Sequence, residues 1–187
     1  MIFDDLKAAI TVHQSTTIQN IFKIKAQMIQ SVSFQAVFMN LVIFSGPPSS
    51  GKTSVILKTI EAMKDRGIKA GVVKFDCLYT DDDAIYEKAN IPVKKGLSGG
   101  LCPDHFFASN IEDVVKWGNE QKLDLLITES AGLCNRCSPY ITDIKGVCVI
   151  DNLSGINTPK KIGPMLKAAD IVVITKGDIV SQAEREV

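Results

Sequence analysis

Gly46-Pro47-Pro48-Ser49-Ser50-Gly51-Lys52-Thr53, entered from the apolar run Leu41-Val42-Ile43-Phe44, is the stretch that decides how this chain folds. It matches G-x-x-x-x-G-K-[ST], a loop that cradles phosphate between a buried strand and a helix. Glycines let such a loop aim its backbone N–H groups at phosphate oxygens. The positive N-terminal end of the following helix faces the same anion. In that geometry Lys52 reaches the β- and γ-phosphates and the Thr53 hydroxyl holds Mg²⁺. The alternative is a plain Gly/Ser-rich turn. The apolar run on one side and the helical pattern from Lys52 on the other argue against it.

The 187 residues suffice for a domain with a sizeable core, and 45% of them are apolar. Basic and acidic residues balance at 21 each, which leaves no electrostatic footprint for nucleic acid or an anionic membrane. The apolar runs fall far short of a membrane span. The first residues, with Asp4 and Asp5, lack the basic-then-apolar pattern of a secretory signal. A cytoplasmic location is expected. The five cysteines then read as thiols or metal ligands rather than disulfides.

Two regions are expected. Residues 1–38 are rich in Gln, Ser, Thr, Ile and Phe, with Ile18, Ile21, Phe22 and Ile24 near helical spacing. They read as an N-terminal helical extension, either packed on the core or docking a partner. From residue 39 to 187 apolar strands alternate with helices. The spacing predicts strands over 41–44, 70–75, 92–97, 123–128, 145–150 and 171–174. Helices are expected over 52–66 and 81–90, from a Ser109-x-x-Glu112 capping box, and from Thr158-Pro159, with the Thr158 hydroxyl as cap. This rhythm predicts an α/β domain with a mostly parallel sheet and helices on both faces. Ligands of such sheets bind outside the carboxyl ends of the strands.

Directly after the last strand stands Thr175-Lys176-Gly177-Asp178. It resembles the guanine-recognition motif of GTPases, Asn-Lys-x-Asp with Thr in first place in some families. An aspartate at 178 can accept from N1–H and the exocyclic amine of guanine, and adenine offers neither donor there. The Lys176 stem can lie along the base while its ammonium stays solvated. Buried hydrogen-bonding groups left unpaired by the wrong base make such a site selective. In isolation Lys-Gly-Asp is an ordinary turn. Its place after an apolar strand, late in a chain with a phosphate loop, gives it meaning.

Three further segments carry chemistry. Asp76-Cys77-Leu78-Tyr79-Thr80-Asp81-Asp82-Asp83-Ala84 follows the second strand. Ser98-Gly99-Gly100-Leu101-Cys102-Pro103-Asp104-His105 comes next. Glu129-Ser130-Ala131-Gly132-Leu133-Cys134-Asn135-Arg136-Cys137-Ser138-Pro139 follows the 123–128 strand. Thiolate and imidazole suit Zn²⁺ and Ni²⁺, and Cys134-x-x-Cys137 has the spacing of a metal knuckle. Cys102 and His105 could complete the set if the two loops meet. The alternative for Cys134 and Cys137 is a redox pair or two buried thiols, and for His105 a surface or capping histidine. Cys77 and Cys148 lie beside or within apolar strands and read as core thiols.

In this order the segments resemble the nickel-delivery GTPases that mature hydrogenase and urease, a P-loop NTPase family, over about residues 39–180. The resemblance implies a GTPase that binds GTP and GDP with Mg²⁺ and carries Ni²⁺ or Zn²⁺. Gly46 to Thr53 would bind phosphates, Gly132 would sense the γ-phosphate, and Thr175, Lys176 and Asp178 the base. Lys52, Thr53, Asp76 and Glu129 would serve the reaction, the last three by holding Mg²⁺. Cys102, His105, Cys134 and Cys137 would hold the transition metal. A homodimer sharing that metal is implied, with a client metalloenzyme or its accessory proteins as partner. The chain departs from the family in three ways. Asp104 separates Pro103 from His105, the second loop cysteine is extra, and the sequence stops soon after Asp178, as a truncated domain would. The extra cysteine leaves an iron–sulfur cluster open, and with it a nucleotide-dependent iron–sulfur activator. A P-loop small-molecule kinase with structural zinc is the other enzyme reading, and a non-catalytic scaffold the third.

Overall fold

In a computed structural model, residues 39–78, 81–130 and 138–185 are described. The extension expected over 1–38 lies outside them. Among the described residues six strands form one sheet: β1 (Asn40–Ser45), β2 (Ala70–Asp76), β3 (Val93–Leu97), β4 (Leu125–Ser130), β5 (Lys145–Asp151) and β6 (Ile171–Thr175). Their order is β3-β2-β4-β1-β5-β6, and every pairing is parallel. The expected strand cores lie within these elements or shifted by one or two residues. The helices are α1 (Lys52–Lys64), α2 (Asp82–Lys88), α3 (Pro103–Ser109), α4 (Ile111–Glu120), α5 (Thr158–Lys161), α6 (Gly163–Ala168) and α7 (Gln182–Arg185).

Side chains alternate across a strand, so each face of the sheet has its own core. Phe44, Val72, Ile127, Val147 and Val149 pack on one face with Ile56 and Ile60 of α1 and Tyr86 of α2. Ile43, Val73, Phe75 and Leu126 pack on the other with Phe107 and Val114. Cys148 is buried there too, against Ile162 and Met165. Strand β4 is buried at every residue, as a central strand covered on both faces must be. Edge strand β6 instead leaves Val172 and Ile174 exposed.

Helix starts differ from expectation in two places. Ser109 does not open a capping box: it ends α3, and Asn110 takes the N-cap position of α4 without a side-chain capping bond, its amide donating back to the Phe106 carbonyl instead. Helix α3 forms because Pro103 is preset for a first helical turn and because Phe106 and Phe107 pack on Phe75, at ring centroid separations of 6.1 and 5.3 Å. Thr158 is a helical residue rather than a cap, and its hydroxyl donates 2.7 Å to the Ser154 carbonyl. The helix it begins stops at Ile162 and restarts as α6, because Pro164 cannot sit in a helix interior.

The β4 core sets the stability of the sheet. Replacing fully buried Leu126 by Ala should cost about 3 kcal/mol. Urea unfolding of the two proteins measures it, and a loss below about 1 kcal/mol would show that the site collapses around the cavity.

Candidate functional site

The phosphate-loop sequence runs from the carboxyl end of β1 into α1, and its backbone requires its glycines. At Gly46, φ is +145°, and a Cβ there would lie 2.0 Å from the Val149 carbonyl oxygen. Gly51, at φ +89°, is the left-handed N-cap of α1 and makes no side-chain cap. The first-turn N–H groups of a helix left without a side-chain cap suit an anion. The Lys52 ammonium folds back over the loop and donates to the carbonyls of Gly46 at 3.0 Å and Pro47 at 2.8 Å.

Beside the loop lies a cleft of about 460 Å³, lined by loop residues and by Thr53, Lys74, Asp76, Asp82 and Glu129. Its centre is Glu129, 0% exposed at the end of β4. Glu129 Oε1 accepts from Thr53 Oγ1 at 3.0 Å and Lys74 Nζ at 2.9 Å. Its Oε2 accepts from the Tyr86 hydroxyl at 2.7 Å. The sheet register makes one of these contacts inevitable, because Lys74 and Glu129 are directly paired across β2 and β4. Lys74 also bonds Asp82 Oδ2 at 2.7 Å. Burial alone would lower the Lys74 ammonium, but the Glu129 and Asp82 carboxylates outweigh it and hold the pKa above its usual value. Burial first, then the Glu129 charge, pushes the Tyr86 phenol far up. Asp76 reaches the cleft from the end of β2, where its Oδ1 accepts from the Cys77 N–H at 2.8 Å.

The second motif touches the first. Thr175 Oγ1 donates to the Ser50 carbonyl at 2.6 Å, and Lys176 Nζ to the Ser49 carbonyl at 2.7 Å. Lys176 takes a left-handed φ of 58° to do so. Asp178 follows in a short 3-10 turn, Gly177–Ile179, with its side chain exposed.

Cys102 is the N-cap of α3 and half-buried, while His105 is exposed. Between them Asp104 is 2% exposed and accepts from the Ser130 hydroxyl at the end of β4. The Cys102 segment is thereby tied to β4, directly before the stretch that contains Gly132, Cys134 and Cys137. Those three residues, and Thr80, lie outside the described residues. Among the described residues no group of three or more His, Cys, Asp or Glu side chains is arranged to hold a metal ion. Cys148 is fully buried and Cys77 half-buried.

Sequence reasoning missed Lys74, Asp82 and Tyr86. Asp82 stands in the first turn of α2 and anchors the buried Lys74. The available signal was Lys74 itself, a charge inside the apolar run Val72-Val73-Lys74-Phe75, since a buried lysine demands a partner.

Burial lowers the Lys52 ammonium from its ordinary 10.5 to about 8; Lys74 adds to this, and Glu129 opposes it. Between those two values the unfolded chain binds a proton that the folded chain does not. The contribution of Lys52 to stability therefore rises with pH across that window. In urea unfolding of nucleotide-free protein from pH 8 to 10.5, the stability of the wild type relative to Lys52→Met should grow steadily. A constant difference would remove the burial effect.

A family model described as CobW/HypB/UreG, nucleotide-binding domain, matches residues 40–187. An uncharacterized protein of Methanocaldococcus jannaschii is 57% identical over 149 residues, covering 80% of this chain and 64% of that protein. Urease accessory protein UreG 2 of Bradyrhizobium sp. is 28% identical over 144 residues, covering 72% of this chain and 67% of its own length. The chain thus spans about two thirds of the length of these curated relatives. Among solved structures, HypB from Helicobacter pylori in complex with nickel superposes with a TM-score of 0.63 at 22% identity, over 91% of this chain and 79% of that one. At that identity the likeness shows the fold alone, that of a P-loop NTPase. The family match spans most of the chain, and the chain belongs to the CobW/HypB/UreG nucleotide-binding domain family.

Proposed function

We propose that this chain is a GTP-hydrolysing metallochaperone. It binds a transition metal, nickel before zinc, and delivers it to a metalloenzyme or that enzyme's accessory proteins during maturation. The observation that carries the reading is the junction of the two nucleotide motifs, where Thr175 and Lys176 hydrogen-bond the Ser50 and Ser49 carbonyls. It sets the base motif directly against the phosphate loop, which supports a single nucleotide spanning both. The names of the relatives, a urease accessory protein and a HypB in complex with nickel, supply the cargo.

Lys52 and the N–H groups from Gly46 to Thr53 bind the phosphates in this reading. Thr175, Lys176 and Asp178 receive the guanine base. The Thr53 hydroxyl and the Asp76 and Glu129 carboxylates line one cleft, and such oxygen donors fit Mg²⁺. When bound, Mg²⁺ neutralises charge on the β- and γ-phosphate oxygens. Glu129 is kept in place by Tyr86 and Lys74, while Asp76 either joins the metal set or orients the attacking water. The Gly132 N–H senses the γ-phosphate.

Cargo binding falls to Cys102, His105, Cys134 and Cys137, as thiolate and imidazole donors. The Asp104–Ser130 bond joins the Cys102 segment to β4. Loss of the γ-phosphate at Glu129 and Gly132 would therefore shift both cysteine-bearing segments and release the ion. A homodimer sharing the ion at its two-fold axis, acting in the cytoplasm, completes the proposal.

The deciding experiment is metal analysis of protein purified without oxygen and dialysed against Ni²⁺ with Mg²⁺ and either GDP or a non-hydrolysable GTP analogue. Ion retained in one nucleotide state and lost in the other is expected. Equal retention in both removes the chaperone function. Cys102→Ala should lower the metal stoichiometry without altering GTP affinity. Asp178→Asn should reduce the preference for GTP over ATP roughly 10- to 100-fold in competition binding; an unchanged ratio would take Asp178 out of base recognition.

A further inference from the structure

Lys74 is a buried cation inside the nucleotide cleft, in a position the motif readings assign no role. Its ammonium shares Glu129 Oε1 with the Thr53 hydroxyl, at 2.9 and 3.0 Å. Those two side chains are two of the three oxygen donors, with Asp76, that fit Mg²⁺. The ammonium therefore contacts an oxygen that would also serve a divalent cation. Two cations cannot share one carboxylate oxygen in a buried setting without strong repulsion. Lys74 also has a second anchor, since Asp82 Oδ2 lies 2.7 Å from Nζ. It can give up Glu129 and keep half of its pairing.

We propose that Lys74 is the resident counter-ion of the Mg²⁺ seat: it neutralises Glu129 while the metal is absent and withdraws to Asp82 when the metal arrives. This rests on the nucleotide and Mg²⁺ reading above and adds to it a residue that sets the metal requirement. Two consequences follow from the geometry. In the absence of Mg²⁺ the Lys74 charge keeps Glu129 from repelling a nucleotide phosphate, so nucleotide binds without metal. Withdrawal also acts on α2, because that helix carries both Asp82 and Tyr86, the donor on Glu129 Oε2. Arrival of the metal is thus transmitted to the helix that follows the Asp76 segment. Lys74 is a positioning residue here, acting through Glu129.

Titration with mant-GDP, in EDTA and across a Mg²⁺ series, tests the proposal in the full chain. Wild type should bind mant-GDP in EDTA. Lys74→Met should weaken binding in EDTA at least tenfold and lower the Mg²⁺ concentration for half-saturation several-fold, since the metal then has no competitor. Lys74→Arg should return the EDTA affinity towards wild type. Asp82→Asn leaves the ammonium to Glu129 alone and should raise the Mg²⁺ half-saturation several-fold. Asp82 is half-exposed, so this variant decides the matter if Lys74→Met does not fold. Identical EDTA affinities and Mg²⁺ half-saturation in wild type and Lys74→Met would overturn the proposal, as would an unchanged Mg²⁺ half-saturation in Asp82→Asn. Failure of the wild type to bind mant-GDP even with Mg²⁺ would overturn the nucleotide reading along with it.

Discussion

The site is organised around one buried carboxylate. Glu129 has no exposed surface, and an ion so placed is tolerated only when paired and hydrogen-bonded. Its donors come from three different elements: Thr53 from α1, Lys74 from β2 and Tyr86 from α2. Each donor is thereby located by Glu129 as much as it locates Glu129. Both oxygens are engaged, so the carboxylate has one orientation. The phosphate loop, the β2 end and the helix after the Asp76 segment are fixed relative to one another by hydrogen bonds that meet at a single side chain.

The parallel sheet makes that arrangement possible. Strands β2, β4 and β1 lie side by side and end together, so Asp76, Glu129 and the loop after Ser45 emerge on one rim. Because parallel register places partners on the same face, choosing Lys74 opposite Glu129 fixes a salt bridge. The same logic operates at the other side of the loop. Strands β5 and β6 pair Asp151 with Thr175, and the residues just beyond turn back onto the loop carbonyls.

Strands and the first helix were legible because burial on two faces writes long apolar runs, as in Leu125-Leu126-Ile127, and because the phosphate loop carries its own punctuation. Helices α3 and α5 were less so. Pro103 and Pro159 both mark a first turn, but Ser109 and Thr158 offered caps that tertiary packing and a hydrogen bond to Ser154 took elsewhere. At the site, residues within contiguous motifs could be read locally. Lys74 and Tyr86 could not, since their meaning depends on which strand lies beside β2, a pairing of residues 55 apart in sequence for Lys74 and Glu129. Asp104 illustrates the same point. It looked like an insertion between Pro103 and His105, and it is the buried residue that binds the Cys102 segment to Ser130.

The ties from Thr175 and Lys176 to Ser50 and Ser49 carry a lesson about order of assembly. Residues more than a hundred positions downstream complete the hydrogen bonding of the loop's own carbonyls. A growing polypeptide cannot supply those donors until its sixth strand has left the ribosome and docked at the sheet edge. Until then α1 and the first four strands can pack, yet the anion cradle lacks its brace. The brace on the anion cradle is therefore added only after the central strands are made, and it is among the first features lost if β6 peels away.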